Sequence, residues 1–293
     1  MKVSDRMVMA SLSLSIPTFR KKDKKATEET RARHDLKTGA VATWKRLLPE
    51  NCPEYKDVVT AFNKMRNDFY SLTSPWCDNG NRLLASSNYL KFAEVMRYNR
   101  DAIEKALGKF YPVVPSLKQQ ARIELNGLYN ESDYPSEAKL QRQFSVKVLI
   151  LPMPEIDSDW RLGLSQEITD SIVTQTQEDL KDGLREAQNY AVTRLATAIK
   201  HLAERLEADG RLHESAFGNL REICELLPGF NLLSDPNLDA IAQRLQTEVL
   251  AVYGPKACRE NKAVRMTAAN AVNDILSSMQ GLYGDVTATE EEE

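Results

Sequence analysis

The sequence predicts an α+β fold that is predominantly α: an elongated helical bundle with one long helix and a small antiparallel sheet. Three observations carry that reading. Val8, Ala10, Leu12, Leu14 and Ile16 alternate with Met9, Ser11, Ser13 and Ser15. Phe144, Val146, Val148 and Ile150 alternate in the same way with Ser145, Lys147, Leu149 and Leu151. Alternation with a period of two sends the two sets of side chains to opposite faces of a strand. The third observation is that most of the remaining chain has helical spacing.

Trp160, Leu162 and Leu164 alternate with Arg161, Gly163 and Ser165 and read as a second central strand. Pro152, Pro154 and the acids between them and Trp160 supply a turn, which makes residues 144–165 a hairpin. An isolated hairpin is marginal in water, so the N-terminal strand is expected beside it. Its serines should face water and its apolar side chains the helices. The expected organisation is an N-terminal strand and helical region over 1–142 and a central hairpin over 143–165. A long helix and C-terminal helical bundle then fill 166–283, and a disordered acidic tail covers 284–293.

The first helix should start at the basic run Arg20 to Lys25 and reach about Leu48. Pro53 opens the clearest amphipathic helix, because Tyr55, Val58, Phe62, Met65, Phe69 and Leu72 fall three and four residues apart. Pro75 and Asn79-Gly80 then predict a turn over 73–82, with Trp76 plugging the gap between the helices it joins. Ser87 or Asn88 caps a helix carrying Tyr89, Phe92, Met96, Ile103 and Leu107. Pro112 and Pro115 are expected to separate it from another, marked by Leu117, Ala121, Leu125 and Leu128. Tyr134-Pro135-Ser136 starts a short helix that feeds the hairpin.

The long helix runs from about Gln166 to Ala208 with the stripe Leu180, Leu184, Ala187, Ala191, Leu195, Ile199, Leu202 and Leu206. Its mean step, about 3.7 residues, does not sustain a left-handed heptad coiled coil. Asp209-Gly210 is expected to stop it. Three helices follow: one carrying Phe217 to Leu227 and ended by Pro228-Gly229, one capped by Ser234 or Asp235, and one after Gly254-Pro255.

Charge and composition narrow the function classes. A formal net charge of -3 gives no global electrostatic drive toward nucleic acid. Residues 1–50 nevertheless carry twelve Lys and Arg against six acids, and Glu290 to Glu293 is a bare acidic run. Cys52, Cys77, Cys224 and Cys258 form no C-x-x-C pair and read as reduced thiols of a cytoplasmic protein. No apolar run reaches the roughly 18 residues a membrane span needs. The N-terminal residues fit a secretory signal poorly, because Asp5, Arg6 and alternating serines interrupt them.

No chemistry-bearing motif stands out. His34, His201 and His213 have no partner at metal-ligand spacing, and H-E-x-x-H is absent. G-x-x-x-x-G-K-S/T, G-x-G-x-x-G after a strand, and G-x-S-x-G are absent as well. The reading is non-enzymatic, with no catalytic residue, no metal and no cofactor. Asp157 and Asp159 would be the carboxylate pair to consider for catalysis, but turn capping and pairing with Arg161 explain them more simply. The candidate docking surface is the hairpin shoulder: Met153, Ile156, Asp157, Asp159, Trp160 and Arg161. Two prolines stiffen it, and its apolar groups carry a charged rim. The candidate nucleic-acid contact is Arg20, Lys21, Lys22, Lys24 and Lys25, although no aromatic residue is interleaved with them for stacking. As the simpler alternative, the cluster is a solvated helix entrance.

Several segments together resemble a known family. They are Arg20 to Thr27, Pro75 to Leu84, Tyr134-Pro135, Pro152 to Leu164 and Leu227 to Leu238. The pattern is similar to the domain-of-unknown-function family of large phages and mobile elements. That family's gene commonly lies beside those of a MoxR-type AAA+ ATPase and a cobaltochelatase-like von Willebrand A protein. Trp160 stands where that family is expected to carry Phe, and Ser74 stands before Pro75 where Leu is expected. The resemblance implies a structural or adaptor subunit working with the ATPase and the von Willebrand A partner. Homo-oligomerisation stays open. Two other readings remain: a DNA-associated protein using the N-terminal basic cluster, and a helical membrane-active protein whose apolar hairpin Val148 to Ile156 enters lipid.

Overall fold

The computed structural model describes residues 6–37, 39–76, 80–153, 166–208 and 212–284. The fold is α+β and predominantly α. In chain order the strands are β1 (Met7–Ser15), β2 (Arg20–Lys22), β3 (Trp44–Arg46), β4 (Ser74–Pro75), β5 (Arg82–Ala85) and β6 (Ser145–Pro152). The helices are α1 (Lys24–Arg33), α2 (Pro53–Ser71), α3 (Tyr89–Leu125), α4 (Glu137–Gln143), α5 (Gln166–Glu207), α6 (Glu214–Phe230), α7 (Pro236–Arg244), α8 (Pro255–Glu260) and α9 (Lys262–Tyr283). One sheet has the order β4-β5-β1-β6, and β2 with β3 forms a separate two-stranded ribbon.

The N-terminal strand therefore does join the first central strand, with β5 antiparallel on its other side (Met7 opposite Ala85, Ala10 opposite Arg82). The hairpin loop and its second strand, Trp160 to Ser165, lie outside the described residues, as do Asp209-Gly210 and the acidic tail. β4 and β5 occupy ground where a plain turn was expected. Their apolar residues, Leu83 and Leu84, are fully buried in a run too short to display a period.

The chain divides into two compact units, residues 1–11, 71–90 and 150–293 in one and 12–70 and 91–149 in the other. In the first, α5 packs against α6 and α9. Leu195, Ala196, Ile199 and Leu202 of α5, Leu220 and Leu227 of α6, and Ala268, Val272, Ile275 and Met279 of α9 are buried there. Met7, Leu83, Ala85, Met153, Leu184 and Ala187 form a further core cluster, with Met9, Trp76, Leu180 and Leu232 packed against it. Met7 and Met9 share a strand face with the serines of β1, so that face is covered at Met7, half-buried at Met9 and Ser11, and open to water at Ser13 and Ser15. Trp76 lies against Gly183 of α5. Arg265 donates to the carbonyls of Leu206 (2.7 Å) and Arg205 (2.8 Å) and to that of Ala208, which satisfies the last turn of α5.

Three boundaries in this unit differ from the expected ones. α6 continues through Pro228-Gly229 to Phe230, because Gly229 and Phe230 are buried and Asn231 N–H closes the turn on Leu227 O at 2.8 Å. One π-helical turn, Leu245–Leu250, extends α7. Asn261 interrupts what looked like one last helix. Its side chain accepts from Ala263 N–H (2.9 Å) and Val264 N–H (3.3 Å), the geometry of an N-cap, and α9 starts afresh.

In the second unit α2 buries the predicted stripe, with Val58, Phe62, Met65 and Phe69 all essentially inaccessible. Phe19, Tyr55, Phe110 and Phe144 build the aromatic core around it, Phe19 edge-on to Tyr55 at 5.0 Å and Phe110 edge-on to Phe144 at 5.9 Å. α3 runs unbroken through Pro112 and Pro115. An interior proline costs about 3 kcal/mol. Burial of Phe110 before the prolines and of Leu117 and Ala121 after them holds the helix on both sides. α1 ends at Arg33, well short of Leu48. Only Thr27 is buried along it, and Asp35 (φ 49) turns the chain away, so no apolar face carries the helix further.

Candidate functional site

The basic run of the sequence is split between β2 and the entrance to α1 (Lys24 and Lys25), all five basic side chains being exposed. What places them is Phe19. Its backbone is left-handed (φ 50), its ring is buried beside Tyr55 and Phe110, and its carbonyl accepts from Leu47 N–H at 2.7 Å. A non-glycine residue in that region costs about 1–2 kcal/mol. The buried ring holds it there, and the chain leaves β1 already paired for the ribbon.

The ribbon register is Arg20 opposite Arg46, Lys21 opposite Lys45 and Lys22 opposite Trp44. Directly opposed residues share a face and neighbours along a strand do not. Arg20, Lys22, Trp44 and Arg46 therefore share one face, and Lys21 and Lys45 the other. Trp44 is 59% exposed. Arg46 pairs with Glu50 at 2.8 Å. A cavity of about 350 Å³ opens beside Arg20 and Arg46, with Lys56 and Tyr55 on its wall.

The opposite face is an internal ion network. Lys45 Nζ lies 2.7 Å from Asp133 Oδ2 and 3.3 Å from Asp23 Oδ2, and donates to Leu128 O at 2.6 Å. Lys21 Nζ reaches Asp133 Oδ1 at 2.6 Å. The Lys45, Asp23 and Asp133 side chains are buried, so the lysine fixes β3 to the turn at Glu131–Asp133. Burial pushes the Asp133 carboxyl up, but its hydrogen bonds to Lys21 and Lys45 outweigh that and hold it below its usual range. Burial likewise opposes charge on Lys45, and its hydrogen bonds to Asp133 and Asp23 raise it nonetheless. Asp23 is lowered chiefly by the N–H of Ala26, which its Oδ1 accepts at 2.9 Å as cap of α1. Thr43 N–H donates to Thr27 Oγ1 at 3.0 Å and Arg31 donates to Val41 O at 2.9 Å, tying the segment before β3 to α1.

The hairpin shoulder is described only at its start. Met153 is buried in the cluster with Leu184 and Ala187 of α5, and is not displayed for a partner. The flexible thioether side chain fills the space beside the helix. Ile156, Asp157, Asp159, Trp160 and Arg161 lie outside the described residues. At the start of α5 none of the described side chains from Asp170 to Asp182 is buried; the stretch carries Asp170, Glu178, Asp179 and Asp182 against Lys181, and Asp182 pairs with Arg185 at 2.8 Å.

Cys52, Cys224 and Cys258 are buried free thiols. Burial pushes all three up, Cys224 to about 11, so they carry their protons at neutral pH and are poor nucleophiles. Among the described residues no group of three His, Cys, Asp or Glu side chains could hold a metal ion, and no helix is long and apolar enough to cross a membrane.

Sequence reasoning found Arg20, Lys21, Lys22, Lys24 and Lys25 but missed Trp44, Arg46 and Lys56. Only the pairing of two three-residue strands brings Trp44 opposite Lys22, and strands that short leave no period to read. Comparison with family models, curated proteins and solved structures finds no match.

Proposed function

We propose that this chain is a non-enzymatic adaptor subunit of a phage or mobile-element assembly in the bacterial cytoplasm, working with a MoxR-type AAA+ ATPase and a von Willebrand A partner. The partners rest on the family resemblance. The observation that supports an adaptor is the division of charge. The unit containing the ribbon carries 23 Lys and Arg against 15 Asp and Glu, a balance of +8. The other carries 16 against 27, a balance of -11. Opposite charge on two compact units of one chain suits contact with two chemically different partners. The exposed acidic start of α5 is the protein-facing element. From Asp170 to Asp179 the helix buries none of its described side chains, such a segment is marginal alone in water, and a partner surface would stabilise it.

The test is co-purification of the tagged chain with the MoxR-type ATPase and von Willebrand A protein of the same genome, after nuclease treatment. Retention of both, reduced by Glu178→Lys with Asp179→Lys, is the expected result. No retention of either protein from the wild-type chain at low salt would refute the adaptor reading. The basic unit favours a second reading, contact with nucleic acid, which rests on the Arg20, Lys22, Trp44 and Arg46 face.

A further inference from the structure

We infer that the β2-β3 ribbon binds single-stranded nucleic acid, with Trp44 as the platform on which a base stacks and Arg20, Lys22 and Arg46 as the phosphate contacts. This deepens the nucleic-acid reading and rests on it. Three observations carry it. The face is uniform in chemistry, with three cations around one indole and no aliphatic side chain among the four paired residues. The indole is 59% exposed, although the same unit buries Phe19, Phe62, Phe69, Phe92, Phe110 and Phe144. The ribbon is held from behind, because Lys21 and Lys45 are engaged with Asp23 and Asp133, so the outer cations and the ring are presented on a fixed support.

The dimensions select a single strand. Residues two apart on one strand lie about 6.8 Å from each other and directly opposed residues about 5 Å. The platform is therefore wide enough for one or two nucleotides. A base can lie on the Trp44 ring only if it is unstacked from its neighbours, which a duplex does not offer and a single strand does. The cavity beside Arg20, Arg46 and Lys56 gives a neighbouring phosphate a place between three cations, with the Arg46 guanidinium shared between that phosphate and Glu50. A lipid surface is the weaker fit. Interfacial tryptophans act with apolar neighbours that enter the acyl region, and this face supplies none.

The experiment is fluorescence anisotropy of a labelled 20-mer of deoxythymidine, and of a duplex of equal length, titrated with the full chain between 50 and 200 mM salt. The expected result is preference for the single strand, with a log-log salt slope near -2, as about three phosphate contacts to a single strand give. Trp44→Ala should weaken single-strand binding roughly tenfold and Trp44→Phe much less. Arg20→Gln with Lys22→Gln should weaken it and reduce the slope by about 1.4. All these side chains are exposed, so the melting temperatures should stay at the wild-type value and separate lost binding from lost fold. Equal binding by Trp44→Ala and wild type overturns the stacking platform. Duplex preferred over single strand, with loss in the Arg20→Gln and Lys22→Gln double variant, overturns the single-strand inference and leaves the nucleic-acid reading standing. No binding of either oligonucleotide at 50 mM salt overturns both. Binding to anionic phosphatidylserine vesicles without oligonucleotide binding also overturns both, in favour of a lipid surface.

Discussion

The indole of Trp76 lies so close over the backbone of Gly183 that a Cβ at position 183 would meet its Cζ3 at 2.7 Å. The missing side chain lets the strand edge approach α5, and Trp76 and Leu180 close the cluster built by Met7, Leu83 and Leu184. Gly183→Ala sets two effects against each other. Helix propensity favours alanine by about 1 kcal/mol. Overpacking against the ring costs about 1–3 kcal/mol. The steric term should win, so denaturant unfolding should show a net loss for Gly183→Ala. Adding Trp76→Ala should recover part of it, since residues in contact couple by about 1 kcal/mol. A more stable Gly183→Ala chain would contradict the close approach.

Met153 belongs to the same cluster at 5% exposure. Met153→Ala should cost about 2–5 kcal/mol, the range for truncating a buried methionine. Met153→Leu should cost less than about 1.5 kcal/mol because volume is conserved. Urea melts of the two variants separate a core residue from a displayed one. A neutral Met153→Ala would return this side chain to the docking surface.

The helical majority and the joining of β1 to β6 were legible because long periodic runs record which face is buried. The α2 stripe and the α5 stripe from Leu184 to Leu206 are buried as their spacing predicts. What stayed hidden depends on contacts that are distant in sequence. Prolines 112, 115 and 228 read as stops, yet buried neighbours carry α3 and α6 through them. The candidate site was half legible. RKKDKK announces its own charge, whereas nothing in Trp44-Lys45-Arg46 says that it pairs with Arg20-Lys21-Lys22. The role of Lys45 was likewise invisible, because its partners Asp23 and Asp133 lie 22 and 88 residues away.

Gln188 and Asn231 make a second such long-range pair. Gln188 Nε2 donates to Asn231 Oδ1 at 3.0 Å, and its Oε1 accepts from Leu232 N–H at 2.8 Å. Asn231 Nδ2 donates in turn to Asp235 O (2.8 Å) and Asp239 Oδ1 (2.9 Å), which shapes the connection from α6 to α7. Gln188→Leu leaves the Leu232 N–H without this partner, at about 1–3 kcal/mol, while Asn231 Oδ1 keeps the Asp235 N–H at 2.8 Å. Thermal unfolding should show a loss larger than that of Gln175→Leu, whose amide bonds the exposed Asp179. Equal losses would mean the buried network contributes nothing of its own.

The ion network behind the ribbon sets a pH window. Asp133 has a folded pKa below its ordinary 3.8, so its contribution is complete above that value and is lost as pH falls through the lower, folded one. Lys45 has a folded pKa above its ordinary 10.5, so its contribution is complete below 10.5 and is lost as pH rises through the higher, folded one. Stability from this site should therefore be flat between about pH 4 and 10. Lys45→Met removes the alkaline edge and leaves Asp133 buried with Lys21 alone. The chain should lose about 3 kcal/mol at pH 7. Its acid transition should move to higher pH, because the Asp133 carboxyl loses one of the two lysines that held it low. Lys45→Met with Asp133→Asn removes the Asp133 charge that Lys21 alone would compensate and should restore part of the loss. The Lys45, Asp23 and Asp133 side chains are sheltered from solvent, so 0.5 M salt should change the effect of Lys45→Met little, while the exposed outer face would lose its ionic contacts. Unfolding curves for the three chains from pH 3 to 11 check each step. An acid transition that does not move in Lys45→Met would show that Lys21 alone sustains Asp133, and the ribbon would then lack the anchor assigned to Lys45.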